Sequence, residues 1–134
     1  MACFLVGAAE AIVVTAAAKA VKSKELKAES ASAASITASQ EKTHIPWSRK
    51  LMWLAYLLWG GAFLLAYEHV WHGEVVPWFP FLTAMSDPGD TAEMLHEMST
   101  IGVTMAIIVT VVWALLCVAA DRIVKRRAHS PLEA

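Results

Sequence analysis

The chain has 134 residues, of which 57% are hydrophobic and 17% charged, with a mean hydropathy of +0.51 and a formal net charge of −1. A soluble domain carries about a quarter charged residues, so this composition excludes an ordinary water-soluble globule and a strongly basic nucleic-acid binder. With no phosphate-cradling glycine loop and no nucleophile elbow in it, nucleotide and hydrolase chemistry have no support.

The first apolar segment, "ACFLVGAAEAIVVTAAAK", predicts a helix over about 2–21, interrupted by Glu10. A cleaved secretory signal is the alternative, since "AAAKA" offers small residues for cleavage. Such a signal carries positive charge before its apolar run, whereas here Lys19, Lys22, Lys24 and Lys27 follow it. A retained helix is therefore the preferred reading. Residues 22–46 are Ser/Ala-rich with scattered charge and few core-forming side chains, which reads as a linker that can begin helical beside helix 1.

The second helix is expected over about 47–72, opened by Pro46 and Trp47 and built on 17 uncharged positions, 51–67. Residues 73–90 contain "VVPWFPFLTAM", too short to span a bilayer and too apolar for a free loop, so an interfacial aromatic/Pro-rich segment is expected. The third helix is expected over about 91–121, with Asp90 or Thr91 as N-cap. Its residues 98–120 run 23 positions without a charge, and about twenty suffice to cross a bilayer core. A tail, 122–134, follows. The expected fold is all-α: an integral membrane protein of three transmembrane helices in a single membrane domain.

Charge sets the expected topology. All 11 basic residues lie between Lys19 and Lys50 or between Arg122 and Arg127, while the stretch from Glu68 to Glu97 is acidic. Basic residues stay with cytoplasmic loops. The expected arrangement is multi-pass in the plasma (inner) membrane, N-terminus outside, linker and C-terminus cytoplasmic. The basic residues read as topology determinants and anionic-lipid contacts rather than a nucleic-acid surface. Cys3 and Cys117 then fall near opposite faces and match no metal or redox spacing, so they read as packing residues.

Candidate chemistry gathers at the outer helix ends. In "YEHVWHGE", Glu68 and His72 are four apart and His69 and His72 three apart; in "EMLHEM", Glu93, His96 and Glu97 share a face. Glu-x-x-His, here Glu93 to His96, is a spacing used by di-metal helical bundles. Glu10, roughly 12 Å below Ala2 at 1.5 Å per residue, is an intramembrane carboxylate and thus a further candidate ligand. Each has an ordinary reading too: carboxylates complementing a helix N-terminus, or wet interfacial histidines beside Trp71. Gathered without basic counter-charge, they point to a divalent transition metal such as iron, zinc or manganese.

The stretches "MACFLV", "AEAIV", "LLWGGAFLLAYEHVWHGE", "FPFLTA" and "AEMLHEMSTIGVTMA" resemble a family of small uncharacterised prokaryotic integral membrane proteins. The resemblance implies membrane placement, and brings no activity, cofactor or site assignment. The alternatives to a metal-binding protein are a haem b electron-transfer subunit with histidine axial ligands, or a non-catalytic accessory subunit. Gly60-Gly61 and the alanines of helix 1 suit close helix contacts, so a homo-oligomer or a membrane-complex partner is expected beside the lipid bilayer. No reaction is assigned.

Overall fold

The computed structural model describes residues 2–32 and 45–129, and among these it is all-helical apart from one isolated β-bridge. Helix α1 spans Phe4–Ser32, α2 Trp47–Trp71, α3 Pro88–Glu97 and α4 Val103–His129. A five-residue π turn, Met98–Gly102, joins α3 to α4 without a break. Three helical stretches are long and apolar enough to cross a membrane: Phe4–Ser30, Trp47–Trp71 and Pro88–Arg127.

Helix α1 runs 11 residues past the expected end at 21, to Ser32. Alanine, lysine and glutamate are strong helix formers, and Glu25 gives the extension a tertiary contact. Its carboxylate accepts from the Ser48 amide at 3.3 Å and the Ser48 hydroxyl at 2.5 Å, so α1 caps the start of α2. The rest of the expected linker, 33–44, lies outside the described residues, as do 130–134 of the tail. Pro46 sits just before α2 with φ −61° and ψ 145°, extended rather than helical.

Helices α1 and α2 pack antiparallel through small residues. Ala11, Ala18, Ala55 and Ala62 are buried, and a Cβ on Gly7 would lie 4.0 Å from that of Ala62. Helix association in lipid depends on such close packing, because lipid tails solvate apolar side chains as well as another helix does. Ala11, Leu54 and Leu58 form the central cluster, against which Val14, Val109 and Trp113 pack from α1 and α4. Phe63 and Leu64 are 72% and 68% exposed, an apolar surface that suits a bilayer better than water.

The third helix begins earlier than the sequence suggests. Asp87, not Asp90 or Thr91, is the N-cap: its side chain accepts from the Gly89 amide at 2.7 Å. Pro88 explains the shift, since it has no N–H to satisfy and its fixed φ suits a first turn. Thr91 still serves the helix start, donating its hydroxyl to the carbonyls of Asp87 at 2.8 Å and Ala84 at 2.9 Å.

Residues 73–86 form an irregular hairpin rather than a flat strap. Val76 N–H donates to Phe81 O at 2.8 Å, Thr83 N–H to Glu74 O at 3.1 Å, and Val75 bridges Leu82. The tip bears the aromatics, with Trp78 65% and Phe79 83% exposed. The base is anchored by a small cluster in which Ala2, Ala84 and Met94 are buried against Phe4, Leu82 and Met98. That cluster fixes the start of α1 beside the hairpin and α3, and the Phe4 ring also meets His69 near the end of α2.

Candidate functional site

The end of α2 is a Schellman motif, and this motif builds the site. Gly73 has φ 73°, the left-handed conformation a side chain resists. Its N–H donates to Val70 O at 3.1 Å, and the Glu74 N–H reaches back to His69 O at 2.9 Å. Chain reversal at Gly73 therefore brings Glu74 over His69, five residues before it.

His69 is held from both sides. Its Nδ1 lies 2.8 Å from Leu65 O; a carbonyl only accepts, so Nδ1 carries the hydrogen and the neutral ring keeps its lone pair on Nε2. The Phe4 ring meets the imidazole edge-on, with centroids 5.5 Å apart. Nε2 is buried and has no hydrogen-bond partner; the side chain is 12% exposed. Glu74 Oε2 stands 3.8 Å away, too far for a hydrogen bond. His72 repeats the arrangement one turn on, with Nδ1 2.9 Å from Glu68 O, but it is exposed.

These groups edge an open cleft of roughly 370 Å³ lined by Cys3, Glu68, His69, His72, Glu74, Glu97 and Ile101. Gly102 brings α1 into it. A Cβ at Gly102 would come within 2.9 Å of Val6 Cγ2 and 3.4 Å of the Cys3 carbonyl, so only glycine permits this approach. The π turn that ends at Gly102 is tied by the Ser99 and Thr100 hydroxyls, both of which donate to His96 O. Such turns insert one residue into a helix and recur at functional sites.

The structure thus brings together Glu68, His69, His72 and Glu97 of the residues expected from sequence, and adds Glu74 and Cys3. Glu93 and His96 are exposed on α3 and do not line the cleft. Glu10 lies elsewhere: its Oε1 accepts from the Thr110 hydroxyl at 2.9 Å. Thr110 is 13 residues beyond Glu97 in the same helical stretch, roughly 20 Å at 1.5 Å per residue. Glu10 instead borders a separate groove between α1 and α4, beside Val6, Ala106 and Ile107. Among the described residues, no three His, Cys, Asp or Glu side chains are grouped closely enough to hold one ion.

Sequence spacing missed Glu74 because helical periodicity ends at His72. The signal was present in "HGE": a glycine just past an apolar helix end favours a left-handed reversal, and the next residue then folds back on the last turn. Cys3 was missed because its entry depends on the Gly102 contact, a tertiary fact. Helix α1 is a packed member of the bundle, and both Cys3 and Cys117 are free thiols. No family model, curated protein or solved structure matches this chain.

Proposed function

We propose that this is a small multi-pass protein of the plasma (inner) membrane whose acidic-face cleft binds a divalent transition metal, iron, zinc or manganese. One observation carries the reading: His69 Nε2 is buried without a partner 3.8 Å from Glu74 Oε2. Metal bonds to nitrogen and carboxylate oxygen are each about 2.1 Å long. Two such bonds span 3.8 Å at an open angle, so a single ion between the atoms can touch both. A histidine ligand also donates its second ring N–H to a carbonyl or carboxylate, as His69 Nδ1 does to Leu65 O.

Two preplaced donors make a weak site alone. Glu68, His72 and Glu97 edge the same cleft and can add bonds by side-chain rotation. A second copy or a larger membrane partner can supply more, and that incompleteness favours an assembly over a lone chain. The donor set suits an ion better than haem. His69 lies in the last turn of α2 and His72 is its C-cap three residues on, and His96 lies outside the cleft, so no pair faces across a macrocycle. The acidic face is assigned to the outside, with the Lys/Arg-rich ends of all three spanning helices cytoplasmic. The aromatic hairpin then rests in the outer interface, where Trp78 and Phe79 anchor it.

Titration of the purified protein with zinc or manganese, followed calorimetrically, tests this reading. Wild type is expected to bind; His69→Ala is expected to lose at least tenfold in affinity, the scale of one lost ligand or its support. Equal binding by the two would remove the cleft from consideration and leave the accessory-subunit reading.

A further inference from the structure

On the opposite, basic face the geometry points to a binding site for an anionic phospholipid, between α1 and α2. The site is a cleft of roughly 420 Å³ lined by Lys22 of α1 and by Ser48, Arg49, Met52, Trp53 and Tyr56 of α2. Arg49, Met52, Trp53 and Tyr56 fall at i, i+3, i+4 and i+7, one continuous helix face. That face changes character along its length. A guanidinium heads it, a thioether and an indole follow, and an exposed tyrosine lies roughly 10 Å further along at 1.5 Å per residue.

The level of this cleft matches a membrane boundary. Lys22 is 18 residues beyond Phe4 on α1, and Arg49 is 22 residues before Trp71 on α2. At 1.5 Å per residue these are about 27 and 33 Å, against a hydrocarbon core of about 30 Å. The cations therefore stand at headgroup depth, and Met52, Trp53 and Tyr56 extend toward the acyl chains.

Charge complementarity identifies the occupant. Lys22 and Arg49 are exposed, and neither forms an ion pair with a described residue. Their neighbours are already committed. Lys50 turns inward to Asp121 at 2.7 Å, and the Glu25 carboxylate, which keeps its charge, is held on the Ser48 amide and hydroxyl, so the two cations of the cleft outnumber its one anion. Two exposed cations from different helices, with no ion-pair partner among the described residues, stand above an aromatic and thioether wall and match a phosphate carried on an acyl-chained lipid. A zwitterionic headgroup would bring its own cation against Lys22 and Arg49. Free phosphate would leave the wall unused. Basic recesses between membrane helices bind anionic headgroups for this reason. The site is independent of the metal cleft and of which face is cytoplasmic.

Native mass spectrometry of the full chain in detergent tests it, with phosphatidylglycerol, phosphatidylcholine of the same chains, and glycerol phosphate as probes. Wild type is expected to retain phosphatidylglycerol in preference to the other two. Each cation contributes roughly fivefold near an anionic headgroup, so Lys22→Gln with Arg49→Gln is expected to weaken retention roughly 30-fold. Lys125→Gln with Arg126→Gln, which removes two exposed cations of α4, is expected to leave it unchanged. Should the first double variant lose its helical circular dichroism, Lys22→Gln alone gives the same test at roughly fivefold. Equal retention of both lipids, equal loss in both double variants, or glycerol phosphate binding as well as the lipid would each overturn the proposal.

Discussion

Lys50 Nζ donates to Asp121 Oδ2 at 2.7 Å, joining the start of α2 to the end of α4 across the basic side of the bundle. Trp113 reinforces the contact by donating Nε1–H to the Lys50 carbonyl at 2.7 Å, and the ammonium lies 5.2 Å from the Trp47 ring centroid. The lysine side chain is 4% exposed and the aspartate 28%. Removing one partner of a fully buried pair costs about 3–5 kcal/mol, and the partial exposure of Asp121 lowers that figure. Lys50→Ala is expected to destabilise the protein by about 2 kcal/mol, read from detergent unfolding curves. Lys50→Met with Asp121→Leu is expected to recover most of the loss, because no lone charge is left behind. A double variant as weak as the single one would show that Lys50 acts through packing instead.

Glycine substitutions have opposite expected signs at two places. A Cβ on Gly102 collides with Val6, so Gly102→Ala is expected to cost about 1–3 kcal/mol. It also displaces α1 from the cleft. Gly60 and Gly61 would meet nothing within 4 Å, so alanine there is expected to gain up to about 1 kcal/mol from helix propensity. Unfolding of the three variants in one detergent checks this. A destabilised Gly60→Ala would indicate that the glycine pair packs against another chain.

Glu10 and the cleft are expected to behave independently. Glu10→Gln keeps an acceptor for the Thr110 hydroxyl, and the metal content of the purified protein is expected to stay at the wild-type level. Thr110→Val removes the donor and is expected to cost about 1 kcal/mol. Loss of metal in Glu10→Gln would place the carboxyl in the site after all.

Orientation is checked by cysteines at Ser86 and Ser30, both exposed, in a background without Cys3 and Cys117. An impermeant thiol reagent on intact cells is expected to label the first and spare the second. Labelling at Ser30 alone would invert the arrangement, and labelling at both would break it.

Much of this fold was legible because helices long and apolar enough to cross a membrane announce themselves by length and charge-free composition. The 23 uncharged positions from Met98 to Ala120 need no tertiary context to be read. Boundaries were harder. The extension of α1 to Ser32 rests on a capping contact with Ser48, 23 residues from Glu25. The start of α3 moved because Pro88 at its first turn lets Asp87 cap it. The candidate site was half visible. Helical spacing grouped Glu68 and His69 of α2 with its C-cap His72, and all three line one cleft. It could not show that Glu10 pairs with Thr110, 100 residues away. It also could not see past Gly73, where the chain turns Glu74 onto His69. Within the chain a Cβ at Gly60 or Gly61 would meet nothing within 4 Å, whereas one at Gly102 would meet Val6 at 2.9 Å, a contact that only the folded bundle reveals.

The metal reading meets its most direct test in the stoichiometric metal content of three purified proteins: wild type, Glu74→Gln and Glu93→Gln. Both substitutions remove one carboxylate from the acidic face, so bulk charge changes equally. Glu74 stands 3.8 Å from the unpartnered His69 Nε2, whereas Glu93 does not line the cleft. The expected result is a bound transition metal in wild type and Glu93→Gln, and its sharp loss in Glu74→Gln. Metal retained in Glu74→Gln but lost in Glu93→Gln, or no stoichiometric metal in any of the three, would contradict it.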